Sequence, residues 1–204
     1  SDVIRPNMRL ETGNSETSLF AYLEAVEAAF AEYLRVVEEP VDIDAYFQRM
    51  LYHTPFGGIT YRAHRALMSQ YTELKGPEIR AHYTKKTLPA LRHNRRMGAT
   101  YGASTFIGLL GLLDGDPEVQ AGDRLGIFAY GSGSCAQYYS AILGEGAHDA
   151  ARLARLGDWL DARRALTVEE YEAVERIRDA HVGVSDFAPD WSLLDDWYDQ
   201  YYRG

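Results

Sequence analysis

The 204-residue sequence is poor in cysteine and in positive charge, and it has no long apolar run. Its single cysteine, Cys135, cannot form a disulfide within the chain, so nothing indicates an oxidising compartment and a cytoplasmic location is expected. No stretch approaches the roughly 18 apolar residues that a membrane-spanning helix needs. The formal net charge of −9 argues against a general nucleic-acid binder, which requires a basic surface. Residues 1–6 contain neither an initiator methionine nor the apolar core of a signal peptide, as expected for part of a longer chain.

What the sequence does contain is typical of a folded domain. Hydrophobic residues make up 46% and charged residues 25% of the chain, and this length can enclose one full hydrophobic core. We therefore predict a single unit over 1–204.

Basic residues are concentrated in one segment of this acidic chain. Residues 62–96 contain nine lysines and arginines but only two glutamates, a local excess of seven positive charges. One interpretation is a set of solvated helix faces. The other is a docking patch for a phosphate-bearing or acidic partner.

The pattern of apolar residues predicts a mixture of helices and strands. The predicted helices are 18–38, 59–74, 77–97, 104–113 and 149–181. Within the last of these, residues 167–170 have the pattern of a helix cap, Thr167, followed by a first helical turn. The predicted strands are 124–130 and 134–143, joined by a glycine turn at 131–133; 42–52 is either a short helix or a strand. We expect the acidic and aromatic stretch 191–202 to pack back on the body. Such mixing predicts a layered α/β fold.

Three residues stand out as candidates for chemistry, and each has a simpler structural interpretation. His53 precedes a Pro-Phe-Gly-Gly turn at the end of an element, where loops carry functional groups, although a single histidine is more often structural. Ser132 lies in a Gly-Ser-Gly-Ser turn whose amides are suited to an anion or a carbonyl oxygen, or which is a plain hairpin turn. Cys135 is either a nucleophile or a buried, inert cysteine, and the second is favoured because no histidine lies near it in the sequence. No histidine or cysteine spacing predicts a metal site, so none is expected.

Three ordered segments together resemble one known family. They are YHTPFGG at 52–58 with RAHRAL at 62–67, RRMGATYGAS at 95–104, and GDRLGIFAYGSG at 122–133. These segments resemble conserved blocks of the hydroxymethylglutaryl-CoA synthases, and the resemblance extends over nearly the whole chain. The Gly57-Gly58 pair is more similar to the synthase homologues of polyketide β-branching than to the mevalonate enzymes.

The resemblance implies the carboxy-terminal half of a thiolase-like fold, an αβαβα layered body made of two similar halves. It also implies an amino-terminal half, absent from 1–204, that supplies a cysteine nucleophile and a glutamate base. The expected reaction is an aldol-type addition of an acetyl-derived unit to a β-ketoacyl thioester. The thioester is carried by coenzyme A or by the phosphopantetheine of an acyl carrier protein, no tightly bound cofactor is expected, and the full enzyme is expected to be a homodimer.

The resemblance also assigns roles to individual residues. His53 matches the catalytic histidine, which orients and polarises the acceptor carbonyl. Phe56, Tyr130 and Ser132 are expected to bind substrate around the acyl pocket, and Arg62 and Arg65 are expected to meet the pantetheine or carrier phosphate.

One position departs from the family pattern. Ala99 stands where the family has an asparagine that donates a hydrogen bond to a thioester carbonyl, and an alanine methyl cannot donate. The loss of one such donor commonly costs on the order of 10²–10³ in rate. We therefore keep an alternative to the condensing enzyme, a non-catalytic carrier-docking module with a degenerate site.

Overall fold

Residues 15–186 are described by a computed structural model, and this part of the chain contains helices and a three-stranded sheet. The helices are α1 (Ser15–Val36), α2 (Ile43–Tyr46), α3 (Gly57–Tyr71), α4 (Gly76–Lys86), α5 (Ser104–Gly115), α6 (Ala147–Ala154), α7 (Leu156–Asp161) and α8 (Val168–His181). The strands are β1 (Arg49–Tyr52), β2 (Arg124–Gly131) and β3 (Cys135–Ile142). The predicted α/β class is therefore confirmed.

Contacts divide the chain into two compact units. Of the described residues, 15–163 belong to the first unit and 164–186 to the second. The sequence predicted one thiolase-like half over 1–204, and that organisation stays a prediction. The first unit contains every candidate site residue, and α8 is the described helix of the second.

The sheet has the strand order β1-β2-β3, with β2 in the centre. β1 runs parallel to β2 and pairs Tyr52 with Phe128, whereas β3 runs antiparallel to β2 and pairs Cys135 with Gly131. All four residues of β1 are buried, as expected of a parallel strand covered on both faces. The short segment 42–52 contains both of the structures that its sequence allowed, α2 followed by β1.

Two hydrophobic clusters support this sheet. One packs α1 and α3 against β1 and is rich in aromatic rings, among them Tyr22, Phe30 and Phe47. The other packs α5 against β1 and β2. The i, i+3, i+4 spacing that predicted α1 has a physical basis here, because Tyr22, Val26, Phe30 and Tyr33 are all buried.

Two predicted helices are interrupted in the structure. The helix predicted for 77–97 ends at Lys86, and 3₁₀ turns at Leu88–Leu91 and Asn94–Arg96 replace its second half. Pro89 explains this, because its ring restricts the preceding residue and lacks the N–H that a helix would use. The helix predicted for 149–181 is three helices, and Arg155 separates α6 from α7 in a left-handed conformation with φ of 49°.

The predicted cap of the last helix is confirmed. Thr167 Oγ1 accepts a hydrogen bond from the Glu170 N–H at 3.2 Å, and Glu170 Oε2 accepts one from the Thr167 N–H at 2.8 Å. These reciprocal bonds form a capping box, which starts α8.

The interpretation of Cys135 as a buried residue is wrong, because the structure exposes it. It begins β3, a strand paired only with β2 within the described chain, and the first three residues of that strand are exposed. The stretch 191–202 lies outside the described residues. Within residues 15–186, no helix has the length and apolarity required to cross a membrane.

Candidate functional site

His53 directly follows the parallel strand β1, which ends at Tyr52. The backbone N–H of His53 donates to the carbonyl of Phe128 at 2.8 Å, which continues the pairing of β1 with β2 by one residue. The hydroxyl of Tyr22, on α1, donates to the His53 carbonyl at 2.7 Å. Both backbone groups of His53 are therefore held, which fixes the origin of its side chain.

His53 is buried, with 7% of the residue surface exposed. Ser104 Oγ, at the start of α5, lies 2.9 Å from its Nδ1. Its other nitrogen, Nε2, has no hydrogen-bond partner among residues 15–186. Burial lowers the pKa of His53 below its usual value, which favours a neutral ring. The arrangement thus leaves one neutral imidazole nitrogen available to a ligand.

Aromatic side chains adjoin this histidine. The Tyr130 ring centroid lies 5.9 Å from that of His53 and 5.4 Å from that of Tyr22. The Tyr130 hydroxyl donates to Ser134 Oγ at 3.3 Å, which connects the end of β2 to the turn that follows. Two residues that the sequence singled out, His53 and Tyr130, are therefore brought together.

The predicted glycine turn is present as a short 3₁₀ turn, Ser132–Ser134, between β2 and β3. Gly133 adopts a positive φ of 74°, a conformation that favours glycine. The side chain of Ser132 lies outside what the structure describes, so its role stays a prediction.

Ser104 is the contact of His53 that sequence reasoning missed. It is 1% exposed, and its Oγ also accepts a hydrogen bond from the Thr54 N–H at 3.0 Å. Asn94 Nδ2 donates to the Ser104 carbonyl at 3.1 Å. A signal was present, because Ser104 ends the segment 95–104 that carried the family resemblance.

Phe56 and Ala99 are both exposed. Phe56, 54% exposed, immediately precedes α3, and its ring packs near Gly58, where an added Cβ would lie 3.5 Å from it. Ala99 is exposed five residues before Ser104. That these two residues contact substrate beside His53 stays a prediction.

Arg62 and Arg65 lie on a groove between α1 and α3. The groove has a volume of about 770 Å³ and combines an apolar wall with two arginines, and Glu27 also faces it. Both arginines are exposed, and within the described residues neither forms an ion pair. The lining residues are Leu19, Phe20, Leu23, Glu27, Tyr61, Arg62, Arg65, Ala66, Ser69 and Gln70.

Other members of the basic segment have structural partners. Lys86 Nζ donates to the carbonyls of Asp44 and Phe47 at 2.9 and 2.7 Å. Arg96 pairs with Asp161 at 2.5 Å. Lys86 and Arg96 thus connect separate parts of the chain, which neither interpretation of the basic segment foresaw. Whether Arg62 and Arg65 form a docking patch or a solvated helix face stays a prediction.

His64 and His82 form a second group of histidines. His64 Nε2 is 2.7 Å from His82 Nδ1, and His82 Nε2 is 2.9 Å from a carboxylate oxygen of Asp44. Burial, together with the charges of His82 and Lys86, lowers the pKa of His64 to about 3. Within residues 15–186, no three histidine, cysteine, aspartate or glutamate side chains converge as a metal site requires.

Comparison with known proteins finds the same family in a family model and in individual relatives. The family described as hydroxymethylglutaryl-coenzyme A synthase C terminal matches residues 64–202. The polyketide biosynthesis 3-hydroxy-3-methylglutaryl-ACP synthase PksG of Bacillus subtilis is 35% identical over 171 residues, which cover 84% of this chain and 40% of PksG.

Solved structures show the same similarity in three dimensions. The curacin biosynthetic pathway HMG synthase in complex with apo donor-ACP has a TM-score of 0.87 and 30% identity, and covers 100% of this chain and 51% of its own. MvaS in complex with 3-hydroxy-3-methylglutaryl coenzyme A has a TM-score of 0.67 and 30% identity, covering 82% of this chain and 45% of its own. The chain thus spans about half the length of the proteins it matches. These likenesses confirm the predicted thiolase-like architecture.

Proposed function

Because the chain belongs to the hydroxymethylglutaryl-CoA synthase family, as its carboxy-terminal part, we propose that it is one half of a condensing enzyme. The enzyme adds an acetyl-derived unit to a β-ketoacyl thioester on an acyl carrier protein, as in polyketide β-branching. Similarity to PksG and to the curacin pathway synthase supports this choice of pathway. On this proposal the completed enzyme is a cytoplasmic homodimer, and the chain alone does not condense.

The observation that carries the proposal is the presentation of His53. Its backbone is fixed by Phe128 and Tyr22, its Nδ1 is engaged by Ser104, and its Nε2 remains available. A positioned, neutral imidazole suits a reaction in which negative charge develops on a carbonyl oxygen.

The amino-terminal half supplies a cysteine thiolate, which takes the acetyl group from a donor thioester and releases the donor thiol, and a glutamate, which removes a methyl proton from the resulting acetyl-cysteine. The resulting enolate-like carbon attacks the β-ketone of the acceptor thioester. His53 then donates a hydrogen bond from Nε2 to the acceptor carbonyl oxygen as that oxygen becomes negative. Phe56, Tyr130 and Ser132 enclose the acyl group and exclude water around it.

Replacing His53 tests this assignment. In the enzyme completed with its amino-terminal half, we expect His53→Ala to reduce condensation by about 10²–10³-fold, as for the loss of one preorganised donor. His148→Gln is the matched control, because His148 contacts the Leu113 and Val119 carbonyls at 2.8 and 2.7 Å instead. Wild-type turnover in His53→Ala, with an unchanged melting temperature, would remove the assignment.

The groove between α1 and α3 is the proposed site for the phosphopantetheine arm and its carrier. Arg62 and Arg65 provide positive charge for a phosphate, and the apolar wall suits the thioester arm. Electrostatic attraction of this kind acts on association and is weakened by salt.

Charge reversal separates a docking surface from a solvated helix face. Arg62→Glu combined with Arg65→Glu should raise the KM for a carrier-bound substrate at least tenfold, and should raise the KM for a short free thioester much less. Lys85→Glu and Arg95→Glu change exposed basic residues of the same segment outside the groove, and serve as controls. Equal effects on both substrates would contradict the docking role.

Ala99 favours the second candidate function, a non-catalytic module that binds the carrier. If the completed enzyme is a weakened synthase, Ala99→Asn should restore a donor and raise acetyl transfer or condensation about tenfold, equivalent to about 1.4 kcal/mol. Ala99→Leu adds similar bulk without a donor and is the control. No gain in either step, together with retained carrier binding, would support the docking module.

A further inference from the structure

The hydroxyl of Ser104 lies between a backbone N–H group and the ring of His53. Its Oγ is 3.0 Å from the Thr54 nitrogen and 2.9 Å from His53 Nδ1. Within the described part of the chain, Oγ has these two hydrogen-bond partners and no third. Ser104 is 1% exposed, so bulk water does not reach its hydroxyl freely.

The hydrogen-bond inventory of a serine fixes how these contacts are shared. A hydroxyl has one O–H donor and two acceptor lone pairs, and the Thr54 N–H can only donate. One lone pair of Ser104 is therefore occupied. If His53 Nδ1 also donated, the buried O–H of Ser104 would have no acceptor, which is costly. If Nδ1 accepts, all three groups are satisfied.

We propose that Ser104 is a positioning residue that donates to His53 Nδ1 and thereby holds the ring in the neutral tautomer with its proton on Nε2. In this tautomer the free nitrogen is a donor and cannot act as a base. The assignment of the tautomer stands on Ser104 and Thr54 alone. Its consequence for catalysis, donation to the acceptor carbonyl, rests on the proposed function.

Neighbouring contacts hold the Ser104 hydroxyl in place. Asn94 Nδ2 donates to the Ser104 carbonyl at 3.1 Å, which connects the start of α5 to the 3₁₀ turn Asn94–Arg96. The Tyr22 hydroxyl and the Phe128 carbonyl hold the backbone of His53. Both partners in the Oγ–Nδ1 contact are thus anchored independently, as a tautomer-setting pair requires.

The tautomer can be measured directly on this chain without any substrate. Long-range ¹H–¹⁵N correlation spectra at pH 7 distinguish protonated from unprotonated ring nitrogens, and His53→Gln assigns the signals. We expect His53 to carry its proton on Nε2. In Ser104→Ala, the form protonated on Nδ1 should rise to a tenth or more of the population, whereas Ser104→Thr, which keeps the hydroxyl, should resemble the wild type.

Thr105→Val is the matched control. Thr105 follows Ser104 in α5 and is also buried, but its hydroxyl donates to the Gly102 carbonyl at 3.3 Å. Its removal should leave the His53 tautomer unchanged. A wild-type proton on Nδ1, or the same distribution in Ser104→Ala as in the wild type, would overturn the proposal.

Kinetics of the completed enzyme provide the second readout. Ser104→Ala should reduce kcat by tenfold or more with KM changed less than threefold, and Ser104→Thr should recover most of the loss. A purely structural serine would instead lower the melting temperature without altering the tautomer. If the completed wild-type enzyme condenses nothing, the proposed function fails while the spectra still decide the role of Ser104.

Discussion

Acid should destabilise this protein through His64, whose ring is enclosed by β1, α3 and the end of α4. His64 is fully buried; the Tyr52 hydroxyl lies 3.1 Å and the Thr87 hydroxyl 3.2 Å from its Nδ1. His82 Nδ1 lies 2.7 Å from His64 Nε2, and the charges of His82 and Lys86 disfavour protonation of His64. Burial is the larger cause, and together they lower the pKa of His64 from 6.5 to about 3.

The sign of the effect follows from comparing the folded and unfolded chains. Between pH 6.5 and 3 the unfolded chain binds a proton at this histidine and the folded protein does not, so the free energy of unfolding decreases as the pH falls. Above pH 6.5 neither state is protonated there and the contribution vanishes. From a shift of 6.5 to about 3, His64 alone should reduce stability by about 2 kcal/mol at pH 5 and about 3 kcal/mol at pH 4.

Urea unfolding between pH 7 and pH 4 measures this slope. In His64→Gln, the slope of the unfolding free energy against pH should be smaller by about 1.4 kcal/mol per pH unit, the contribution of one bound proton. Leu67→Ala, a fully buried residue one turn later in α3, is the control, because it should lower stability while keeping the wild-type slope. Identical slopes in His64→Gln and in the wild type, or a His64 ring that titrates near 6.5 by NMR, would refute the reasoning.

Two further predictions concern the stability of the sheet. Asp116→Ala should lower the free energy of unfolding by about 3–5 kcal/mol in urea, because it leaves the buried guanidinium of Arg49, now 2.7 Å from Asp116, without its enclosed partner. Glu118→Ala, which removes the exposed partner of Arg49, should cost less than about 1 kcal/mol. Gly126→Ala should cost about 1–3 kcal/mol by differential scanning calorimetry, because a Cβ there would overlap the Tyr138 hydroxyl. A loss below 0.5 kcal/mol in Asp116→Ala or Gly126→Ala would contradict that prediction.

Local patterns predicted the elements that pack one face against the core. α1, α3 and α5 have apolar residues at helical spacing, and β2 and β3 are apolar or aromatic segments on either side of a glycine turn. Each of these was predicted within a few residues of its ends. The thiolase-like architecture came from the resemblance of sequence motifs, because no periodicity shows how the layers stack.

The predictions that failed depended on single backbone positions or on pairing. The helix predicted for 77–97 did not take account of Pro89. The helix predicted for 149–181 included Arg155, and an arginine in the sequence does not indicate that its backbone φ is positive. Cys135 was assigned to a buried position because it lies inside a predicted strand and has no histidine near it in the sequence. Which residues of an edge strand are exposed depends on the neighbouring strand, and that pairing is decided by the fold.

The same distinction explains how far the candidate site could be predicted. His53 was found because it precedes a recognisable turn in a recognisable motif. Its partners come from elsewhere in the chain: Tyr22 is 31 residues before it and Ser104 is 51 residues after it. The sequence motif contains Ser104 but does not show that its hydroxyl contacts His53 Nδ1, since this contact forms only when α5 packs beside β1. The residue that contacts Nδ1 of the histidine therefore had to be read from three-dimensional geometry.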